Sequence, residues 1–264
     1  LADAVAIILV GAREPVTFFP YPDLPGRLRS EHIPLFAMAG PGAGAGAALH
    51  ALADAVGVPA DATADETVFL SGPRPVVSTY PLAEGPLTAA AVNRIVADTL
   101  PGQAVVCDEV ITSTGFYELS YGAPAHDYLQ LTGGAIGIGL PLAAGAAIGA
   151  PGRKVVALQA DGSAMYTLQA LWTIAREELD VAVVIFANRS YAILQNEMRK
   201  VGVQEIGARA RQMLSLDAPV IDWVSLARGM GVGAAQAATV ENFRTAWEGA
   251  LGKRGPFLVE AVIV

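Results

Sequence analysis

Short runs of apolar residues alternate with segments of helical pattern along most of this sequence. The runs are continuously apolar, as in strands that are buried on both faces of a sheet. Strands are predicted over residues 5–10, 33–39, 104–107, 154–159, 181–187 and 257–262. Helices are predicted over residues 43–56, 88–100, 134–148, 163–177, 221–230 and 240–252, and from about residue 192. This alternation predicts a doubly wound α/β fold, with a parallel sheet covered by helices on both faces.

The alternating pattern is interrupted between residues 58 and 86, where five prolines fall in an irregular stretch. Proline clusters of this kind are typical of interdomain linkers. We therefore expect a Pro-rich linker over residues 71–86, between a first α/β part in residues 1–70 and a second domain in residues 87–264. Because the chain starts at Leu1 and enters a strand-like run almost at once, we expect that an N-terminal portion is missing.

The composition limits which binding partners and which cellular compartment are expected for this protein. Hydrophobic residues make up 53% of the chain and charged residues 16%, which favours burial of surface against other subunits. The formal net charge of −8 argues against a nucleic-acid partner, because such a partner needs a basic surface. The apolar stretch over residues 133–151 is rich in Gly and Ala and contains Pro141, so a buried helix is expected there and not a membrane span. Cys107 is the only cysteine, which excludes an intrachain disulfide and favours a reducing, cytoplasmic compartment.

Polar residues follow two consecutive predicted strands at their carboxyl ends. Asp161, Gly162 and Ser163 follow the first of these strands, and Asn188 follows the second. Because neighbouring parallel strands end at the same edge of a sheet, Asp161 and Asn188 are expected to lie side by side. A carboxylate, an amide oxygen and a backbone carbonyl form a hard-oxygen set that suits Mg²⁺. Gly162 would let the backbone approach a phosphate, and Ser163 would begin a helix whose N–H groups favour an anion.

Each of these residues has a simpler interpretation when it is considered alone. A helix cap would account for Asp161 and Ser163, and a turn would account for Asn188. Their combination at two adjacent strand ends favours the metal site.

The spacing resembles the motif of thiamine-diphosphate-dependent enzymes, in which Gly-Asp-Gly is followed by an Asn. Here Asn188 follows Asp161 by 27 residues. The stretch from Ser163 to Thr173 is similar to benzoylformate decarboxylase, and the stretch from Gly137 to Pro141 resembles acetolactate synthase large subunits. The resemblance covers residues from about 86 to 264. Ala160 replaces the first glycine of the motif. This replacement affects the expected local backbone geometry and not the expected metal site.

The resemblance implies the thiamine-diphosphate-binding fold, with thiamine diphosphate and Mg²⁺ as cofactors. The implied metal ligands are Asp161, Asn188 and the backbone carbonyl of Ser190. The implied diphosphate contacts are Gly162 and Ser163, with Tyr191 beside the diphosphate.

Two further segments have implied roles towards the same cofactor. The Gly134 carbonyl would accept a hydrogen bond from the aminopyrimidine, and Ile136 would be the apolar wedge that bends the cofactor for catalysis. A plain core residue is the alternative interpretation of Ile136. Thr112, Ser113 and Thr114 follow another strand end, where Thr114 is the best candidate to bind the diphosphate and a solvated turn is the alternative.

In this family a glutamate on a separate pyrimidine-binding domain activates the cofactor, and that domain normally docks from a neighbouring subunit. No such domain is recognisable here, and residues 1–70 resemble the later part of the family's Rossmann-like central domain. The chain is therefore expected to hold a half site that needs this domain as a partner, within a homodimer or homotetramer. Glu109 is interpreted as a surface carboxylate and not as a substitute for the activating glutamate.

The resemblance implies an enzyme that acts on small 2-oxo acids by decarboxylation, carboligation or both, and we prefer the acetolactate-synthase-like reaction. A benzoylformate-decarboxylase-like reaction is the alternative, although Thr17 to Tyr21 lacks the central-domain histidine of that enzyme. Two other classes stay open. The glycine-rich residues 42–47 follow a strand as a nicotinamide-dinucleotide fingerprint would, and a non-catalytic homologue would retain the fold without the activity.

Overall fold

The computed structural model describes residues 4–17, 21, 26–59 and 84–264. Residues 71–83 of the predicted linker lie outside the described residues. The same holds for residues 18–20, which belong to the stretch from Thr17 to Tyr21 that lacks the histidine of benzoylformate decarboxylase. The chain separates into two compact units, one formed by residues 1–73 with 199–203 and the other by residues 74–198 with 204–264. The domain boundaries predicted from the sequence stay a prediction.

The first unit contains, in its described part, two parallel strands and the helix that follows them. Strand β1 (Ile7–Val10) pairs with β2 (Leu35–Ala39), and helix α1 (Ala45–Ala55) follows β2. Both strands begin two residues later than predicted. In β2 the reason is Pro34, because its nitrogen has no hydrogen to donate to a strand ladder.

The second unit is built on a parallel sheet. Its strands are β3 (Val105–Glu109), β4 (Asp127–Gln130), β5 (Val155–Ala160), β6 (Val181–Ala187), β7 (Gly233–Ala237) and β8 (Phe257–Val262). They form six parallel strands in the spatial order β4-β3-β5-β6-β8-β7. Among the described residues, the helices that follow α1 are α2 (Ala89–Thr99), α3 (Phe116–Ser120), α4 (Gly139–Gly149), α5 (Asp161–Ala164), α6 (Ala170–Arg176), α7 (Ala192–Lys200), α8 (Ala208–Met213), α9 (Trp223–Gly229) and α10 (Val240–Leu251).

Helices cover both faces of this sheet, so the central strands are buried on both sides. In β5, Val156 and Leu158 belong to one core, while Val155 and Ala157 belong to the other. Alternate side chains of a strand point to opposite faces, which explains the division. Helices α2 and α10 pack into the first core, and α4, α6 and α9 pack into the second. The predicted doubly wound parallel sheet is confirmed.

Two predicted helices differ from the structure by more than a shift of one or two residues at their ends. The helix predicted from residue 134 begins at Gly139, because Gly133, Gly134 and Gly137 have φ angles of 63°, 68° and 91°, which no right-handed helix contains. The helix predicted over residues 163–177 is divided into α5 and α6. Within the described ranges, no helix has the length and apolar character that a membrane span requires.

Candidate functional site

The ends of β5 and β6 bring Asp161 against the turn that begins at Asn188. The backbone N–H of Arg189 donates to Oδ2 of Asp161 at 2.7 Å, and the N–H of Gly162 donates to Oδ1 at 2.8 Å. The side chain of Asn188 accepts a hydrogen bond from the N–H of Ser190 at 2.9 Å, which closes the turn. Parallel pairing of β5 with β6 places both strand ends at one edge of the sheet, so the proximity follows from the topology.

Burial makes the Asp161 carboxylate a strong candidate for binding a cation. The residue is only 3% exposed, and this burial raises the pKa of its carboxyl to about 6, against the lowering effect of the N–H bonds from Arg189 and Gly162. The nearby Glu260 carboxylate raises this pKa further. A cation at this position would favour the charged form of Asp161 and offset the cost of its burial.

The oxygen atoms at this edge fit a hard cation such as Mg²⁺. Oδ1 and Oδ2 of Asp161 accept the N–H groups of Gly162 and Arg189, and the amide oxygen of Asn188 accepts the N–H of Ser190. Oxygens of these two types have a second lone pair with which they can bind a cation. Across the described ranges, no three His, Cys, Asp or Glu side chains are grouped to hold a metal. An ion at Asp161 would therefore need amide and backbone oxygens and the oxygens of a ligand, which is the coordination that Mg²⁺ favours.

Gly162 and Ser163 lie in a more crowded position than the sequence suggested. A Cβ atom on Gly162 would lie 2.6 Å from a ring carbon of Tyr191, so the absence of a side chain admits this ring. Ser163 does not begin a helix as predicted, because α5 begins at Asp161 and has four residues. Its hydroxyl accepts from the amide of Gln159 at 2.8 Å and donates to the Ala160 carbonyl at 3.3 Å. These contacts fix the backbone around Asp161.

The turn after β3 is held by an asparagine that the sequence did not single out. Nδ2 of Asn93 donates to the carbonyl of Ser113 at 2.8 Å and to that of Thr114 at 3.0 Å. Asn93 is fully buried on α2, whereas Thr112 and Thr114 are exposed on the turn. Asn93 therefore fixes the backbone from which Thr114 projects.

The prediction that Glu109 is a surface carboxylate was wrong. Glu109 ends β3 and is 1% exposed, and its Oε1 accepts from the N–H of Gly137 at 2.5 Å while its Oε2 accepts from the N–H of Gly139. Hydrogen bonds from two N–H groups, one in the loop before α4 and one at the first residue of α4, make this burial tolerable. Ile136 directly precedes this attachment and is 44% exposed, so its interpretation as a plain core residue is wrong. Gly134 is also exposed.

Three comparisons with known proteins identify the family of this chain. Residues 112–261 match the family described as "Thiamine pyrophosphate enzyme, C-terminal TPP binding domain". IlvX of Mycobacterium tuberculosis, assigned by name as an acetolactate synthase large subunit, is 42% identical over 259 residues, which are 97% of this chain and 48% of IlvX. Benzoylformate decarboxylase of Pseudomonas aeruginosa is 33% identical over 177 residues, which are 67% of this chain and 32% of that protein. The solved thiamine diphosphate-dependent 4-hydroxybenzoylformate decarboxylase of Rhodococcus jostii RHA1 has a TM-score of 0.71 and 26% identity, covering 98% of this chain and 49% of that one.

The family match extends from the turn after β3 to β8 and includes more than half of the chain. The chain therefore belongs to the thiamine pyrophosphate enzyme family, and the family predicted from the residues around Asp161 and Asn188 is confirmed. The chain spans about half the length of IlvX and of the Rhodococcus enzyme.

Proposed function

We propose that this chain binds thiamine diphosphate through Mg²⁺ and forms part of an enzyme that acts on 2-oxo acids, with an acetolactate-synthase-like reaction. The observation that carries the proposal is the buried Asp161 carboxylate, which lies against the turn over residues 188–190 at the carboxyl edge of the sheet. Parallel α/β sheets bind their ligands at this edge. Family membership supports the choice of cofactor.

In this proposal, residues that follow strands β3, β5 and β6 hold the metal ion and the diphosphate of the cofactor. The metal ligands are Asp161, Asn188 and the carbonyl of Ser190. The diphosphate contacts are Thr114, Gly162 and Ser163, with Tyr191 beside them. The burial that raises the pKa of Asp161 supports a bound cation, because within the described part of the chain the hydrogen bonds to this carboxyl come from backbone N–H groups alone.

The loop before α4 would serve the reacting part of the cofactor. When bound, thiamine diphosphate supplies a nucleophilic carbon that adds to the carbonyl of the 2-oxo acid, and it accepts the electrons released by decarboxylation. Gly134 would accept a hydrogen bond at its carbonyl, and Ile136 would hold the cofactor bent. The exposure of Ile136 supports this role, because a side chain buried in the core has no surface for a ligand.

The proposal includes a partner domain and a cytoplasmic oligomer. A pyrimidine-binding domain would supply the activating glutamate from a neighbouring subunit of a homodimer or homotetramer. This chain covers 48% of IlvX and 49% of the Rhodococcus enzyme. The uncovered part of these relatives supports the proposal of a further domain. Residues 1–70 are assigned to the later part of the central domain, residues 71–86 to the linker and residues 87–264 to the diphosphate-binding domain.

Product analysis of the intact protein separates the two reactions. Acetolactate formed from pyruvate supports the preferred reaction, in line with the identity to IlvX. An aldehyde released from an aryl 2-oxo acid supports the decarboxylase alternative, for which benzoylformate decarboxylase of Pseudomonas aeruginosa is the relevant relative. Failure to convert either substrate contradicts both reactions.

Asp161→Ala tests the binding site itself. Isothermal titration of the variant with thiamine diphosphate and Mg²⁺ should show no binding, because the one carboxylate of the proposed ligand set is gone. Asp98→Ala is the matched control, since Asp98 is exposed on α2 and pairs with Arg94. The control should bind like the wild type. Unchanged Mg²⁺-dependent binding by Asp161→Ala would refute the site, and binding of NADH in place of thiamine diphosphate would favour a dinucleotide-binding protein.

A further inference from the structure

A buried carboxylate holds the loop that precedes α4. Glu109 stands at the end of β3, and both of its oxygens accept backbone N–H groups, from Gly137 at 2.5 Å and from Gly139. The N–H of Gly137 belongs to the peptide bond that joins it to Ile136. Glu109 therefore fixes the plane of the peptide on the carboxyl side of Ile136, and with it the direction in which Ile136 projects.

The same peptide segment is held from its other side. The hydroxyl of Thr167 donates to the carbonyl of Gly137 at 2.6 Å. The φ of Gly137 is 91°, and a Cβ atom there would lie 2.7 Å from Cβ of Tyr166. Neither the conformation nor the space admits another residue at this position. Gly137 is thus locked between Glu109 and the segment that joins α5 to α6.

We propose that Glu109 is the positioning residue for the loop over residues 134–138, which it presents to the ring portion of thiamine diphosphate. This inference rests on the proposed function. It separates two tasks within one site. Asp161 and the turn over residues 188–190 hold the Mg²⁺ that anchors the diphosphate, while Glu109 acts through Gly137 on the segment that contains Gly134 and Ile136. Glu109 itself touches neither the metal nor the diphosphate in this assignment.

A carboxylate suits this task because it offers two acceptors to two N–H groups. A glutamine has the same size but offers only one carbonyl oxygen as an acceptor. Its NH₂ group would face the backbone N–H of either Gly137 or Gly139, and two donors cannot form a hydrogen bond. Glu109→Gln therefore breaks one of the two attachments with little change in volume. The Cβ position of Gly139 lies against both Gln159 and Glu109, which leaves the amide no room to turn away.

The test compares thiamine diphosphate with inorganic pyrophosphate, each titrated with Mg²⁺ into the protein by calorimetry. Pyrophosphate reports on the metal and diphosphate contacts alone, whereas thiamine diphosphate also reports on the loop. Glu109→Gln should weaken thiamine diphosphate about tenfold, as expected for loss of a hydrogen bond to a charged group, and leave pyrophosphate within about twofold of the wild type. Glu118→Gln, an exposed carboxylate on α3, is the control and should change neither affinity.

The outcomes separate the inference from the function on which it rests. Equal weakening of both ligands, or no change in either, overturns the positioning role of Glu109. A wild-type protein that fails to bind thiamine diphosphate overturns the proposed function instead. If Glu109→Gln does not fold, Thr167→Val removes the other attachment of Gly137 and should weaken thiamine diphosphate about threefold without affecting pyrophosphate. An unaltered ratio of the two affinities in Thr167→Val would equally overturn the inference.

Discussion

Replacement of Asn93 tests whether one buried side chain holds the turn that carries Thr114. Asn93 is fully buried, and its amide donates to the carbonyls of Ser113 and Thr114 at 2.8 and 3.0 Å. Each such bond contributes roughly 1 kcal/mol net to stability, so the loss of both in Asn93→Ala should cost about 2 kcal/mol of unfolding free energy. Within the described residues, Oδ1 of Asn93 has no partner, so no third bond is lost.

Asn93→Asp sharpens the test because it keeps the size of the side chain. The substitution turns a carboxylate oxygen towards the two carbonyl oxygens and buries a charge without a partner. The loss should therefore exceed that of Asn93→Ala and reach about 3–5 kcal/mol, the range for an uncompensated buried charge.

Urea unfolding followed by circular dichroism measures both losses. Asn242→Ala serves as the matched control, since Asn242 is exposed on α10 and its replacement should change stability by less than about 0.5 kcal/mol. If Asn93→Ala and Asn93→Asp are both as stable as this control, the two hydrogen bonds do not hold the turn and the reasoning is refuted.

Two further predictions concern close packing and a buried thiol. Gly162→Ala should lower stability by about 1–3 kcal/mol, because its Cβ would meet the ring of Tyr191; in a double-mutant cycle, Tyr191→Ala should recover most of that loss, and purely additive losses would contradict the clash. Cys107 is buried, which raises the pKa of its thiol from 9.0 to about 12. Between these pH values the thiol ionises only in the unfolded state, so folding loses about 1.4 kcal/mol per pH unit as pH rises. The stability advantage of the wild type over Cys107→Ala should accordingly shrink from pH 9 to pH 12 in urea unfolding, and a constant difference would contradict the shift.

The central strands could be predicted from the sequence because burial on both faces leaves a continuous apolar run. β6 and β8 coincide with the predicted ranges, and β5 is displaced by one residue. β4 and β7 were missed. They form the two edges of the sheet, where a strand has one neighbour and needs no such run, and their sequences, DYLQ and GAAQA, carry little apolar signal.

The site could be predicted only where its residues follow directly from strand topology. Asp161 and Asn188 come at the ends of adjacent parallel strands, so their proximity needed no tertiary detail. Glu109 and Asn93 are held by hydrogen bonds to residues 20 or more positions away, and a polar side chain in a sequence carries no mark of such partners. For Glu109 the available signal was its position at the carboxyl end of a buried strand, together with a glycine-rich segment further along the chain that supplies N–H donors.

The most direct test of the central claim is the Mg²⁺ dependence of thiamine diphosphate binding by the wild-type protein. Calorimetric titrations with Mg²⁺ and with a chelator in its place differ only in the metal. Because Asp161 and the oxygens of the turn over residues 188–190 are assigned to the metal and not to the phosphates directly, binding should appear with Mg²⁺ and vanish with the chelator. Binding of equal affinity in both titrations would contradict the account.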